Sequence, residues 1–565
     1  FRMVDSCAAE FAAVTPYYYA TYEGGGVPLG IDYVPEEKKA DSRRLVVIGS
    51  GPIRIGQGIE FDYGAVHAVQ AIREAGHEAI LVNNNPETVS TDFDTSNRLY
   101  FEPLITECVA EILLREGADG ILLQFGGQTA INLALPLDDR MSHLTEKGLE
   151  CSMLGTSPDA VDEASDRERF EAFGERSIIR LPEGRTGKTP AAIRAAVAEI
   201  GYPVLVRPSY VLGGRGMEIL TDDAQLETYM SDAYIAPDKP LLVDEYLGGA
   251  IELDVDAVCD GEDVLVGAVM EHLEEAGIHS GDSTCFIPTQ NVSEEILAKV
   301  HEWTKAIGIG LKIRGCFNIQ FCICKGELYV LEVNPRGSRT FPFVAKATGI
   351  PLARIAAHIT IGEQLANMEI PRRQTDAVCV KAPVFPFLKL RGLDPAPGPE
   401  MKSTGEVMGS HVDPAAAYLK ARLATELPVP TRGGVYLTVK DEDKENLIPM
   451  ARSLQEMGFI LHATKGTARH LRDMGGLDVE TCYRITEGQS PDALDLMRTG
   501  KIQLIINTPR NSGGAVLDGN MMRRLAVELN IPFVTTMSGA KMECQAIAVA
   551  QKGMPEPRRL VVDYI

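Results

Sequence analysis

Leu331-Glu332-Val333-Asn334-Pro335-Arg336-Gly337-Ser338-Arg339 closes an apolar run that begins at Glu327 and reads as a β-strand. Glu332 and Asn334 stand two apart on it, so both side chains leave the same face. Just upstream, Asn318-Ile319-Gln320-Phe321 reads as a neighbouring strand with Gln320 on one face. Hard oxygen donors on two adjacent strands, with Arg336 and Arg339 directly beyond, suit Mg²⁺ holding a nucleotide triphosphate.

A second segment supplies groups for the phosphates. Tyr202 to Pro208 is an apolar strand carrying Arg207 at its end, and the glycine-rich loop Ser209 to Met217 follows, with Gly213, Gly214, Arg215 and Gly216. Glycines let the backbone approach phosphate, and its N–H groups can cradle the oxygens. No Gly-Lys-Ser/Thr follows and the loop leads into a strand, Glu218 to Leu220, so this is not a Walker loop.

The chain of 565 residues has room for three to five domains. Its 45% hydrophobic and 24% charged content suits a soluble globular enzyme. A net charge of −24 argues against nucleic acid or an anionic membrane as the main partner, and makes the Arg207/Arg215 and Arg336/Arg339 clusters stand out. The eleven cysteines show no Cys-x-x-Cys and no zinc-ligand spacing; Cys322 and Cys324 fall inside a strand, as buried reduced thiols would. No apolar run approaches a membrane span, and the first residues do not read as a signal peptide. A cytoplasmic location is the expectation.

From Arg44 the pattern alternates strand and helix: strands at 45–48, 79–82 and 120–123, helices at 65–75 and 108–115. That is a Rossmann-like unit. The glycines at 49, 51, 56 and 58 miss the dinucleotide fingerprint, and Asn83-Asn84-Asn85-Pro86 replaces the ribose-binding acid, so NAD is the weaker reading. Arg167-Glu168-Arg169-Phe170 opens a helix, Leu241 to Leu247 reads as a strand, and Glu252, Asp254 and Asp256 share one strand face. After the linker-like 428–434 a compact β/α pattern returns, with strands at 435–439, 458–461, 503–506 and 531–534 and helices at 444–457, 491–498, 521–530 and 541–550. Thr464-Lys465-Gly466-Thr467 follows a strand and opens a helix, presenting N–H groups and hydroxyls to an anion.

Together these segments resemble the ATP-grasp carboxylate–amine ligases, and five long strings resemble the carbamoyl-phosphate synthetase large chain more specifically. They are Gly49–Tyr63, Asn85–Asp92, Gln124–Thr129, His279–Ser283 and Met401–Gly409. The likeness covers essentially the whole chain and fits the second half of that large chain: one synthetase module and a regulatory domain. It implies an α/β architecture: the end of a helical connector or oligomerisation region and a linker (1–41), a Rossmann-like pre-ATP-grasp domain (42–156), an ATP-grasp domain with its closing segment (157–427), and a methylglyoxal-synthase-like allosteric domain (428–565). The start at Phe1 implies a fragment or the product of a divided gene.

The implied activity is phosphorylation of carbamate by ATP to carbamoyl phosphate, for pyrimidine and arginine biosynthesis. Another ATP-grasp ligase and a non-catalytic nucleotide-sensing subunit are the alternatives. The implied cofactor is Mg²⁺ or Mn²⁺, held by Gln320, Glu332 and Asn334, with K⁺ admitted. ATP would meet Arg169, Arg207, Gly213, Gly214, Arg215, Asp244, Glu245, Leu247, Glu252, Gly277, Ile278, His279, Ser280, Gln320 and Glu332. Arg336, Arg339, His279 and Asn334 would act in catalysis. Lys444, Thr464, Thr467, Asn507 and Thr508 would bind a regulatory nucleotide, although Pro509-Arg510-Asn511 departs from the family's pattern. Glu274, Asp282 and Glu406 would bind the amine of an activator. Implied partners are a glutaminase small subunit and a bicarbonate-phosphorylating first module, and an oligomer is expected.

Overall fold

A computed structural model describes residues 1–3, 16–21, 31–32, 35, 37–39, 41–53, 55, 59–208, 216–231, 240–371, 376–390, 392–509 and 514–556. The chain divides into two compact units: Phe1–Pro182, Leu253–Val269 and Asn291–Gln374 form one, and Glu183–Glu252, Met270–Gln290 and Thr375–Ile565 the other.

The first unit begins with an eight-stranded sheet. Its order is Ile31–Asp32, Arg2–Met3, Tyr17–Tyr19, Arg98–Phe101, Glu78–Asn83, Arg44–Ile48, Gly120–Leu122, Ser152–Leu154. From Tyr17–Tyr19 onward every neighbouring pair is parallel. Leu45 to Ile48 are all fully buried, as expected of a strand covered on both faces. Tyr17–Tyr19, within the stretch 1–41 read as connector and linker, belong to this sheet, with Tyr18 packed against Tyr100. The helix read at 65–75 starts earlier, as Glu60–Glu74, and the next is Thr106–Glu116, closed by Gly117 at φ 58°. Strand order reverses between Arg44–Ile48 and Gly120–Leu122. In such sheets ligands gather beyond the carboxyl ends at that reversal, where Gly49, Glu60, Gln124 and Gln128 lie.

The same unit carries the strands Glu327–Asn334, Gly315–Cys324, Ile251–Cys259 and Val264–Glu275, hydrogen-bonded in that order, the last two running on into the other unit. Glu327–Asn334 pairs antiparallel with Gly315–Cys324, placing Gln320 opposite Glu332 and Asn318 opposite Asn334. A bulge beside Gln320 leaves Leu331 without an opposite number, re-aiming the strand where the polar residues begin. Cys322 and Cys324 are buried free thiols.

In the second unit the strands Glu218–Leu220, Val204–Pro208, Leu241–Glu245 and Gly184–Gly187 form an antiparallel sheet. The end of Val264–Glu275 continues through Cys285–Ile287, Val378–Val384 and Gly405–His411, and the helix Pro414–Ala424 lies on the last strand. The approach there is close: a Cβ on Gly409 would sit 2.2 Å from the Ala417 carbonyl oxygen.

The C-terminal part is a parallel sheet in the order Val479–Cys482, Ile460–Thr464, Gly434–Thr438, Leu504–Asn507, Phe533–Val534. Val479–Cys482 escaped the sequence reading because Glu480 and Thr481 break its apolar run. The helix read at 521–530 begins at Gly514, and that read at 541–550 begins at Met537, where the Thr536 side chain caps it. No helix among the described residues is long and apolar enough to cross a membrane.

Candidate functional site

In the first unit the candidate metal residues grow out of a buried polar knot. Asn318, 2% exposed, donates through Nδ2 to Asp254 at 2.8 Å and to Asp256 at 2.9 Å. Asp256 also accepts from the hydroxyls of Ser338 (2.7 Å) and Thr340 (2.6 Å), which flank Arg339. Burial, reinforced by neighbouring Asp254, pushes the Asp256 carboxyl up to about 7. Asn334 makes a long 3.5 Å contact to Asn318 and accepts from Arg336 Nη2 at 3.0 Å. Gln320 is half-buried and Glu332 exposed, so these two oxygen donors are presented outward.

The arginines beyond the hairpin are held from the Rossmann-like sheet. Arg336 Nε donates to Gln128 at 2.9 Å, and Arg339 Nη2 to Glu60 at 3.0 Å, the last pair almost wholly buried. The Gln124 carbonyl accepts from Gly337 N at 2.9 Å, while its amide donates to the Pro335 carbonyl at 3.1 Å. Gly126 must be glycine here, since a Cβ would lie 2.3 Å from the Gly49 carbonyl oxygen. Thus Glu60, Gln124 and Gln128, from two of the flagged strings, back the Pro335–Arg339 turn. Arg169, placed with ATP by the sequence, is partly exposed and bonded to Asp159 (2.8 Å) and Asp162 (2.6 Å); those bonds raise its affinity for its proton.

No cluster of three or more His, Cys, Asp and Glu among the described residues is arranged to hold a metal. The candidate donors read from the sequence are two amide oxygens, Gln320 and Asn334, and the Glu332 carboxylate. All are hard oxygens on paired strand positions, which fits Mg²⁺ shared with phosphate oxygens.

In the second unit Arg207 Nε lies 3.3 Å from Asp244 Oδ2 across paired strands. Glu245 N donates to the Glu183 carbonyl at 2.8 Å, and Leu247 is buried. Glu252 accepts from Gly277 N at 3.2 Å and lies 3.4 Å from His272 Nδ1. Gly277, at φ 98°, turns the chain toward Ile278, His279 and Ser280. His279 N donates to the Gly398 carbonyl at 2.9 Å, and its Nδ1 accepts from Gly281 N at 3.1 Å. That bond places the proton of the neutral ring on Nε2, making Nε2 a donor. Gly213, Gly214 and Arg215 lie outside the described residues.

The acids assigned to an activator have different surroundings. Glu274 accepts from Thr284 N at 2.6 Å, and burial raises its carboxyl. Asp282, 1% exposed, accepts from the backbone N–H groups of Lys402 (2.7 Å) and Ser403 (3.1 Å). Glu406 lies 3.9 Å from buried Lys381 Nζ.

The residues assigned to a regulatory nucleotide stand at the carboxyl ends of adjoining strands of the C-terminal sheet. Thr464 begins the helix Lys465–Asp473 without a side-chain capping bond, leaving N–H groups at that end to other partners. Lys444, ion-paired with Asp441 at 2.6 Å, has its ammonium beside Gly466, which lacks a side chain to crowd it. Asn507 and Thr508 are buried, and Thr508 Oγ1 accepts from Lys440 N at 3.0 Å.

Sequence reasoning missed Glu60 and Gln128 as holders of the arginine turn, and Arg523 and Asp394 behind Asn507. Glu60 stood inside a flagged string; Arg523 had a signal of its own, a charge in the apolar face of a helix.

Three family models match in succession: the carbamoyl phosphate synthase preATP-grasp domain over residues 41–163, the carbamoyl-phosphate synthase L chain ATP binding domain over 166–368, and the MGS-like domain over 446–535. The chain belongs to the carbamoyl phosphate synthase large-chain family. It is 48% identical over 555 residues to the carbamoyl phosphate synthase large chain of Methanosarcina acetivorans, which covers 98% of this chain and 51% of that one. The relative from Methanosphaerula palustris is 49% identical over 548 residues, covering 97% and 50%. The chain thus spans about half the length of the curated relatives it matches. Among solved structures, an ADP complex of the N5-carboxyaminoimidazole ribonucleotide synthetase purK aligns at a TM-score of 0.52 and 13% identity, covering 70% of this chain and 97% of its own. Biotin carboxylase from Campylobacter jejuni aligns at 0.51 and 16%, covering 68% and 91%. Both likenesses are of fold.

Proposed function

We propose that the chain transfers the γ-phosphoryl group of ATP to carbamate, giving carbamoyl phosphate and ADP, as the second synthetase module of a carbamoyl phosphate synthase. The carrying observation is the paired hairpin: Gln320 opposite Glu332, Asn334 two positions on, and two arginines just beyond, Arg336 half-buried and Arg339 buried. The large-chain relatives favour this over another ATP-grasp ligase.

Phosphoryl transfer asks for neutralised charge and in-line positioning more than covalent help. Carbamate is already anionic, so its oxygen needs no general base. Arg336 and Arg339 present planar guanidinium forks that match a planar oxyanion, and their bonds to Gln128 and Glu60 hold them in place beforehand. His279 Nε2 donates to the transferred phosphoryl group. Arg169, Arg207 and Arg215 offset triphosphate charge, with Gly213 and Gly214 admitting the phosphates, while Asp244, Glu245, Leu247, Glu252, Gly277, Ile278 and Ser280 surround the nucleoside. Mg²⁺ or Mn²⁺ held by Gln320, Glu332 and Asn334 would supply positive charge between the phosphates.

Other assignments rest on family likeness: a glutaminase small subunit and a bicarbonate-phosphorylating module as partners, an oligomer, K⁺ as a further cation, supply of pyrimidine and arginine synthesis, and a cytoplasmic setting. A regulatory nucleotide is assigned to Lys444, Thr464, Thr467, Asn507 and Thr508, and an amine activator to Glu274, Asp282 and Glu406.

The test is ATP formation from ADP and carbamoyl phosphate, which needs neither ammonia nor a first module. Wild-type chain should make ATP and Glu332→Ala/Asn334→Ala should not; ATP formation by both proteins at equal rates rejects the proposal.

A further inference from the structure

A carboxyl and two hydroxyls close a ring behind the Arg336–Arg339 turn. Ser338 Oγ lies 2.7 Å from Asp256 Oδ1, Thr340 Oγ1 lies 2.6 Å from Asp256 Oδ2, and the two hydroxyl oxygens are 2.8 Å apart. Oxygens that close are hydrogen-bonded, and each bond needs its own hydrogen. Ser338 and Thr340 bring one each, so three contacts share two hydroxyl hydrogens. The neighbouring amides do not supply the third. Asn318 directs its Nδ2 hydrogens to Asp254 at 2.8 Å and to Asp256 Oδ1 at 2.9 Å, and Thr340 N donates to Ser338 Oγ at 3.1 Å without entering the ring. The missing hydrogen belongs on the Asp256 carboxyl.

The surrounding charges favour a neutral carboxyl there. On its own strand Asp254 adds a like charge, and from the strand Gly315–Cys324 the buried Cys316 thiol faces it. Residues 264–269, on the strand whose Gly267 packs against the Asp256 backbone, carry no titratable side chain. The cations of the turn are committed elsewhere: Arg336 donates to Gln128, Gly337 and Asn334, and Arg339 is paired with Glu60. Burial, with Asp254 beside it, accordingly raises the carboxyl.

We propose that Asp256 is a positioning residue that works as a neutral acid, donating from Oδ2 to Thr340 while Thr340 donates to Ser338 and Ser338 to Asp256 Oδ1, a ring that fixes the arginine turn for the carbamate anion. When the proton leaves, both hydroxyls donate to the carboxylate, and their two oxygens face each other with no hydrogen between them. That contact opens, and Ser338 and Thr340, which flank Arg339, carry the turn with it. The hold on carbamate is therefore full while Asp256 keeps its proton and weakens as pH rises through about 7. Asparagine reproduces the neutral acid, with one oxygen to accept and an N–H to donate to Thr340. The inference rests on the reading of Arg336 and Arg339 as the groups that orient carbamate.

The test measures the KM for carbamoyl phosphate, by ATP formation from ADP, in the full chain as wild type, Asp256→Asn and Thr340→Val, at about pH 6 and about pH 8.5. The wild-type KM should rise about tenfold over that interval, as the loss of a hydrogen bond in the ring implies. Asp256→Asn should keep the low value at both pH values, within about twofold, and Thr340→Val should show the high value at both. No ATP formation by the wild type rejects the carbamate reading and this inference with it. A wild-type KM that does not change with pH rejects the inference alone. So does an Asp256→Asn KM raised about tenfold at the lower pH, which would show that the charged carboxylate is needed. Should Asp256→Asn not fold, infrared spectra decide. The wild type should show a carboxylic-acid carbonyl band that disappears between the two pH values and shifts in frequency in Thr340→Val, and a band unmoved in that variant overturns the ring.

Discussion

The hairpin Gly315–Asn334 and the helix start at Thr464–Thr467 are both assigned to phosphate chemistry, yet they are built on opposite plans. Behind the hairpin, Asn318, Asp254, Asp256, Ser338 and Thr340 form a satisfied buried network, and the following arginines are pinned by Gln128 and Glu60. At Thr464 no side chain caps the helix, and Lys465 and Gly466 are exposed. A catalytic arrangement gains from geometry fixed before the substrate arrives. An effector site gains from groups whose partners change on binding, because only differential contacts shift an equilibrium.

Substitutions sharpen the contrast in decreasing order of effect. Glu332→Ala should lower ATP formation from carbamoyl phosphate by about a thousandfold, several kcal/mol of charge stabilisation, while Thr464→Ala should leave that rate within about twofold. Rate assays on the two variants decide this, and equal losses would erase the distinction. Arg339→Ala strips Glu60 of its buried partner and should cost about 3–5 kcal/mol of stability in the first unit. Chemical denaturation should show that loss for Arg339→Ala and less than about 1 kcal/mol for Lys444→Ala, whose ion pair is partly exposed.

A finer test uses pH. Asp256, pushed up to about 7 by burial and Asp254, holds its proton more tightly folded than unfolded, where the value is about 4. Its contribution to stability is present at low pH and lost as pH rises through about 7. Asp256→Asn has no such proton. The melting temperature of the variant should therefore gain on that of the wild type between pH 5 and 8, and a constant difference would show that Asp256 is not held protonated. The smallest effect is Thr467→Ala, which should weaken binding of a regulatory nucleotide's phosphate only a few-fold, one hydrogen bond's worth, as calorimetry would read.

How much of this was legible in the sequence follows the same divide. Strand-end motifs are local: that Glu332 and Asn334 share one face of a strand, beside a neighbouring strand carrying Gln320, was readable from period two, and the pairing sets Gln320 opposite Glu332. The alternating β/α runs gave the two parallel sheets for a similar reason, since buried parallel strands are continuous apolar stretches. Glu60, Gln128 and Arg523 were not readable as partners, because their contacts lie 279, 208 and 129 positions away in sequence and depend on which loops meet at a sheet's reversal point. The Leu331 bulge and the strand Val479–Cys482 were missed because pairing, rather than residue pattern, creates them.

The most direct test of the account is whether the hairpin holds the metal. Electron paramagnetic resonance of Mn²⁺ with ADP should show a tight ternary complex with the wild type and with Lys444→Ala. The complex should be lost in Glu332→Ala/Asn334→Ala, with circular dichroism unchanged. A complex of equal affinity in that double variant would place the metal elsewhere and contradict the reading of Gln320, Glu332 and Asn334 as its ligands.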